Sequence, residues 1–74
     1  MKKKFTPSET FGARLRQARL AAGLTQAAVA AHICVDRSTY TKYELGLVEP
    51  SLVTAYHLAQ LLDTTLDDLL RSER

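Results

Sequence analysis

Apolar residues return every three to four positions in five stretches of the chain, the spacing of one buried helical face, and nowhere alternate singly with polar ones as a half-buried strand requires. The polar punctuation between the stretches predicts where each helix starts and stops. Thr6-Pro7-Ser8-Glu9 is a capping box with proline at the first helical position. A first helix therefore starts there, runs to Ala22 and stops at Gly23, with Phe11, Leu15, Ala18 and Ala22 inward and Arg14, Arg16 and Gln17 on the opposite face. Thr25 caps a second helix from Gln26 to about Ile33, with Val29, Ala30 and Ile33 inward, and Asp36 caps a third from Arg37 to Leu45, ended by Gly46. Pro50 and Ser51 announce a fourth, whose inward stripe is Leu52, Ala55, Leu58, Ala59 and Leu62. Thr65-Leu66-Asp67-Asp68 opens a short fifth, with Leu66, Leu69 and Leu70 apolar and the two aspartates at the positive end of the helix. The fold class is all-α, a compact five-helix bundle.

The second and third helices are joined only by Cys34-Val35-Asp36, with one helix before and one after. Helix-turn-helix DNA readers have this layout, and so do many small bundles. The outward face of the third helix carries more information. At about 100° per residue, Tyr40, Tyr43 and Glu44 share one side, so Ser38, Thr41, Lys42 and Leu45 face out, with Arg37 beside them at the start. Apart from Leu45, this set can donate to guanine N7 and O6, to other base edges or to phosphates. An ordinary solvated helix face would look the same.

Length and charge narrow the choice. Seventy-four residues fit one domain, which at this size buries only roughly 60% of its unfolded surface, and exclude a multidomain enzyme. Hydrophobic residues at 46% with 24% charged describe a globular chain, and no apolar run approaches the ~20 residues of a membrane span. Lys2-Lys3-Lys4 is followed by no apolar core of a signal peptide, so the expected location is cytoplasmic. Cys34 stands alone, which excludes an internal disulfide and the usual structural zinc site. The net charge of +2 is segregated: +6 from Met1 to Lys42 and −4 from Tyr43 to Arg74. A basic face toward a polyanion follows from such a division. His32 and His57 lack a second ligand at metal spacing, and Asp67 and Asp68, adjacent on a helix, point about 100° apart. No activated nucleophile, phosphate loop, cofactor motif or metal set supports an enzyme.

Leu15-Arg16, Gly23-Leu24-Thr25-Gln26, Val29-Ala30, Arg37-Ser38-Thr39-Tyr40-Thr41-Lys42-Tyr43-Glu44-Leu45-Gly46, Glu49-Pro50-Ser51-Leu52 and Leu66-Asp67-Asp68-Leu69-Leu70 occur together in this order. From about Phe11 to Leu70 the chain resembles the Cro/XRE helix-turn-helix family of phage and bacterial repressors, which includes controller proteins and antitoxins of similar length. The resemblance implies a single DNA-binding domain over residues 6–72 behind a basic tail at residues 1–5. It implies a sequence-specific regulator, a repressor, that binds a two-fold symmetric operator in double-stranded DNA as a homodimer, with the third helix in the major groove. Arg37, Ser38 and Lys42 match its base-reading positions, with Thr41 on a phosphate or thymine methyl. Gln26, beside Thr25, matches the phosphate contact that also braces the first residue of the recognition helix. Arg19 and Glu44 match a buried structural ion pair.

The sequence departs from the family pattern in two places. Cys34 holds a turn position usually given to glycine, so either it takes a left-handed conformation or the turn differs locally. Leu45, Leu47, Val48 and Glu49 stand where phosphate-gripping polar residues are common, and this apolar loop is expected to form the dimer contact together with Leu66, Leu69 and Leu70. Lys2, Lys3 and Lys4 either run along the phosphates as an arm or stay solvated. The rival reading is a protein-interaction module on the same fold, an antitoxin or adaptor whose apolar surfaces serve a toxin or other regulator.

Overall fold

The computed structural model describes residues 6–71. Five helices order them: α1 Pro7–Ala21, α2 Gln26–His32, α3 Arg37–Leu45, α4 Leu52–Leu61 and α5 Leu66–Leu70, with no strand among the described residues. The basic tail and its Lys2, Lys3 and Lys4 lie outside them.

Local hydrogen bonds explain where the helices begin. Thr6 Oγ1 accepts the Glu9 N–H at 3.1 Å while Glu9 Oε1 accepts the Thr6 N–H at 3.0 Å, so the box closes in both directions. Thr25, Ser51 and Thr65 each accept the N–H three residues ahead, at 3.0, 3.1 and 3.0 Å. Asp36 occupies the cap position of α3, but its side chain makes no capping bond, contrary to the expectation. It acts there only as a negative charge at the positive end of a helix.

The helix ends share one device. Gly23, Cys34, Gly46 and Asp63 adopt left-handed backbone, with φ of 74°, 61°, 76° and 57°. The residue after each returns its N–H five positions: Leu24 to the Arg19 carbonyl, Val35 to Ala30, Leu47 to Lys42 and Thr64 to Ala59. This is the Schellman arrangement, which satisfies carbonyls that the last turn would leave unpaired. Asp63 carries no sequence cue comparable to glycine.

Leu15, Val29, Tyr40, Leu58 and Leu69 are the fully buried centre, surrounded by Phe11, Ala30, Tyr43, Ala55, Ala59 and Leu62. Helix α1 runs through the middle and packs on both α3 and α5. Its approach to α3 depends on Gly12, where a Cβ would stand 2.4 Å from the Glu44 carbonyl oxygen and 2.7 Å from that of Tyr43. Two residues expected inward are exposed, and one expected at a surface is buried. Ala22 is exposed because it is the C-cap, one step beyond the packed turn. Leu52, at 76% exposure, is the first residue of α4, and its side chain leans past the end of the bundle. Leu69 was expected at a surface of association, but at 2% exposure it sits in the core and has no area to offer. Leu66 is likewise partly covered, packed against the core, while Leu70 at the end of α5 stays half-exposed.

Candidate nucleic-acid interface

The turn between α2 and α3 is set by Cys34 in its left-handed conformation, followed by partly buried Val35. Tyr40 and Tyr43 face inward, ring edge to ring face with centroids 6.2 Å apart, and fix the rotation of α3 about its axis. Arg37, Ser38, Lys42 and Leu45 are consequently exposed along one side, and Thr41 is half-buried beside them.

Behind that face is a polar network that joins α1, α2 and α3. Arg19 Nε donates to Glu44 Oε2 at 2.6 Å and Nη2 to Oε1 at 3.3 Å, a forked pair with the side chains 9% and 2% exposed. The remaining Arg19 nitrogen, Nη1, donates to the Leu24 carbonyl at 2.9 Å, tying in the α1–α2 turn. Gln26 Nε2 donates to Glu44 Oε1 at 2.9 Å. Its Oε1 lies 2.9 Å from Thr41 Oγ1, whose one proton is shared between Gln26 and the Arg37 carbonyl, also at 2.9 Å. Gln26 therefore braces Thr41 and Glu44 through its side chain; no hydrogen bond joins it to Arg37. The Thr41 hydroxyl is committed inside the domain, which leaves its methyl and Cα edge for an outside contact.

Burial pushes the Glu44 carboxyl up, but the hydrogen bond from Arg19, helped by Tyr40 and Gln26, outweighs it and holds the group below its ordinary value. Arg19 is raised, first by its hydrogen bond to Glu44. The Tyr40 hydroxyl is raised by burial and then by Glu44. It is buried and closes no hydrogen bond of good geometry among the described residues.

Thr25, Gln26, Ala27 and Arg37 border a shallow depression of about 520 Å³, with Arg19, Leu20, Gly23 and Leu24 on its other side. The Thr25 oxygen already accepts the Ala28 N–H, and its proton remains free to donate outward. The structure thus brings Thr25, Gln26 and Arg37 together at the mouth of one concavity, with Ser38 and Lys42 further along α3. Leu45, Leu47 and Val48 stand 61%, 71% and 42% exposed after α3, and the following Glu49 accepts a hydrogen bond from the Ser8 hydroxyl of α1. His32, His57 and Cys34 are exposed, and no metal-binding group of His, Cys, Asp and Glu occurs among the described residues.

Sequence reasoning missed two features. One is Gly12; a glycine inside a helix costs about 1 kcal/mol relative to alanine, and that penalty itself signals a close approach. The other is the outward side of α4, where Leu52, Val53 and Tyr56 are all more than half exposed. The signal there was the absence of any Asp, Glu, Lys or Arg between Glu49 and Asp63.

The helix-turn-helix family model matches residues 15–69. Among curated proteins, the chain is 38% identical over 61 residues to the SPbeta prophage-derived uncharacterized HTH-type transcriptional regulator YonR of Bacillus subtilis (strain 168), covering 82% of this chain and 56% of that protein. It is 38% identical over 63 residues to the uncharacterized HTH-type transcriptional regulator YqaE of the same organism, covering 85% and 54%. The chain spans about half the length of the curated relatives it matches. The restriction-modification controller protein C.AhdI from Aeromonas hydrophila superposes with a TM-score of 0.78 at 37% identity, over 88% of this chain and 98% of that one. The clp gene regulator ClgR from C. glutamicum gives a TM-score of 0.84 over 95% and 90%, and at 24% identity the likeness is one of fold.

Proposed function

The chain belongs to the Cro/XRE-type helix-turn-helix family, and on that premise we propose that it is a sequence-specific DNA-binding transcriptional regulator that places α3 in the major groove. The observation that carries this reading is the division of α3: Tyr40, Tyr43 and Glu44 are buried, while Arg37, Ser38 and Lys42 are exposed on the opposite side. Arg37 and Lys42 read guanine edges, Ser38 either base or phosphate, and Thr41 presents its methyl. Thr25 and Gln26 meet a phosphate at the depression beside Arg37, and Lys2 to Lys4 add charge along the backbone. The Arg19–Glu44–Gln26–Thr41 network holds α2 and α3 at a fixed angle, so that both reach the duplex together.

One such unit touches only a few base pairs, too few for useful discrimination in a genome. A homodimer on a two-fold symmetric operator, acting as a repressor by occupying it, resolves this, with the exposed loop of Leu45, Leu47 and Val48 as contact surface and the edge of Leu66 beside it. Those same leucines favour a second reading, a module that docks a toxin or other protein partner. The family and its named relatives are regulators, and neither reading needs catalysis. No helix among the described residues is long and apolar enough to cross a membrane, and a reader of DNA works where the DNA is, in the cytoplasm.

Fluorescence anisotropy on labelled duplexes tests the proposal. Affinity should fall with salt, log K against log[salt] having a slope near −0.9 for each phosphate neutralised. A flat salt response with no preference among duplexes would overturn DNA reading and leave the interaction module.

A further inference from the structure

Between the start of α1, the loop after α3 and α5 lies an apolar groove of about 350 Å³ that the DNA-reading face does not use. Phe11 is buried in it, while Val48, Leu52 and Leu70 along it are 42%, 76% and 50% exposed. Glu49 is the one charged side chain in its lining, and its carboxylate accepts the Ser8 hydroxyl. Apolar side chains left open around a concavity mark a surface that something covers.

The way the chain enters α1 points to the occupant. Thr6 precedes a proline, which confines it to extended backbone, and the two hydrogen bonds of the capping box hold it there at φ −69° and ψ 161°. Pro7 and Ser8, the next two residues, line the groove themselves. Phe5 stands at the position before the cap, where an apolar side chain ordinarily packs on the fourth residue of the helix. Here that fourth residue is Thr10, which offers little apolar surface. The groove is an open apolar surface within reach, since only two Cα steps of about 3.8 Å separate Phe5 from Pro7.

We infer that residues 1–5 cover this groove, with the Phe5 ring seated against Phe11, Leu52 and Leu70 and with Lys4 beside Glu49. Composition favours this segment, because Ser72-Glu73-Arg74, the other residues outside the described ones, hold no apolar side chain. Charge agrees with it: Lys2, Lys3 and Lys4 meet a lining whose single charge is a carboxylate. Apolar burial holds the segment and charge orients it, since an exposed ion pair contributes little. A short tether also makes the contact intramolecular, at an effective concentration on the order of millimolar that a free partner seldom reaches. Leu45 and Leu47 do not line the groove and stay open to another contact. The inference does not depend on the reading of DNA by α3.

Phe5→Trp in the full chain gives the protein its single tryptophan. The indole should emit blue of free tryptophan, and acrylamide should quench it several-fold more slowly than in the urea-unfolded chain. Neither reading should vary with protein concentration. Leu52→Asn combined with Leu70→Asn, at two exposed positions, should return emission and quenching toward the unfolded values while circular dichroism retains the helices. A double-mutant cycle of Phe5→Ala with Leu70→Asn, read in urea melts, is an independent measurement, in which the pair should couple by about twofold or more in the unfolding equilibrium constant. An indole as open to acrylamide in the folded chain as in the unfolded one, or an additive cycle, refutes the inference. A blue shift that the asparagines leave in place seats the ring elsewhere and overturns it, and one that grows with concentration assigns the groove to a second copy and overturns it too. Should the asparagine variants not fold, quenching of Phe5→Trp at the intact groove decides alone.

Discussion

Replacing Arg19 by Met removes the cation at nearly constant volume and leaves the Glu44 carboxylate, 2% exposed, with the Gln26 amide as its remaining hydrogen-bond donor. Three donated bonds disappear, at 2.6, 3.3 and 2.9 Å. Orphaning one half of a buried pair costs about 3–5 kcal/mol. Domains hold roughly 0.05–0.15 kcal/mol per residue, so a chain of this length has about 4–11 kcal/mol in all, and the variant loses near half of it. At roughly 4–8 °C per kcal/mol for a domain this small, Tm should drop by about 12–40 °C. The sign of the pH dependence separates this explanation from general loosening. In the parent, Glu44 titrates below its ordinary value, so its contribution is complete above the unfolded value of about 4.3 and is lost as pH falls further. In Arg19→Met, burial acts with little opposition and the carboxyl is pushed up, so acidification from about pH 7 toward about pH 5 should stabilise the variant and narrow the gap. Adding Glu44→Leu should restore much of the loss, because a buried pair is replaced by apolar contact. Thermal and urea melts by circular dichroism across pH measure all three. A loss under about 1 kcal/mol, or a gap that does not narrow in acid, would refute the reasoning.

Gly12→Ala should cost about 2–3 kcal/mol or more, because the new methyl meets two backbone carbonyls of α3 and the helices must separate; urea melts measure it. Thr41→Val keeps shape and removes the hydroxyl that holds Gln26, so stability should fall by about 0.5–1.5 kcal/mol while Thr41→Ser retains it, read by the same melts. Cys34→Gly should raise stability by about 0.5–1 kcal/mol, since left-handed strain at a side-chain-bearing residue outweighs the extra freedom of the unfolded glycine; differential scanning calorimetry checks it. Lys42→Ala and Arg37→Ala should each lose about 1–3 kcal/mol on the preferred site and little on random duplex in competition anisotropy.

What was legible in the sequence was whatever local chemistry dictates. Thr6, Thr25, Ser51 and Thr65 cap helices through atoms three residues away, and Gly23 and Gly46 end them through their own backbone, so those boundaries needed no knowledge of the fold. The rotation of α3 was equally legible, because two tyrosines and a glutamate on one side outweigh any other choice. Legibility failed where an element's partner decides its exposure. Leu52 and Leu69 carry the same side chain at the same helical spacing, and only the end of the bundle beyond one and the presence of α1 against the other distinguish them. The resemblance implies a Gln26 that braces Arg37, but its amide reaches Thr41 and Glu44, a choice fixed by the angle between α2 and α3. Asp63 takes a left-handed conformation with no glycine to announce it, since its short polar side chain tolerates that region better than most.

Selection of bound duplexes from a random pool, with the wild-type chain and with Lys42→Ala side by side, tests the central claim most directly. The wild type should enrich a two-fold symmetric motif, its half-sites centred about 10 base pairs or a multiple apart. Lys42→Ala should keep the same spacing with preference relaxed at one position of each half-site. A pool that emerges unenriched, or an enriched motif that Lys42→Ala leaves unaltered together with Arg37→Ala, would contradict the reading of DNA by the outer face of α3.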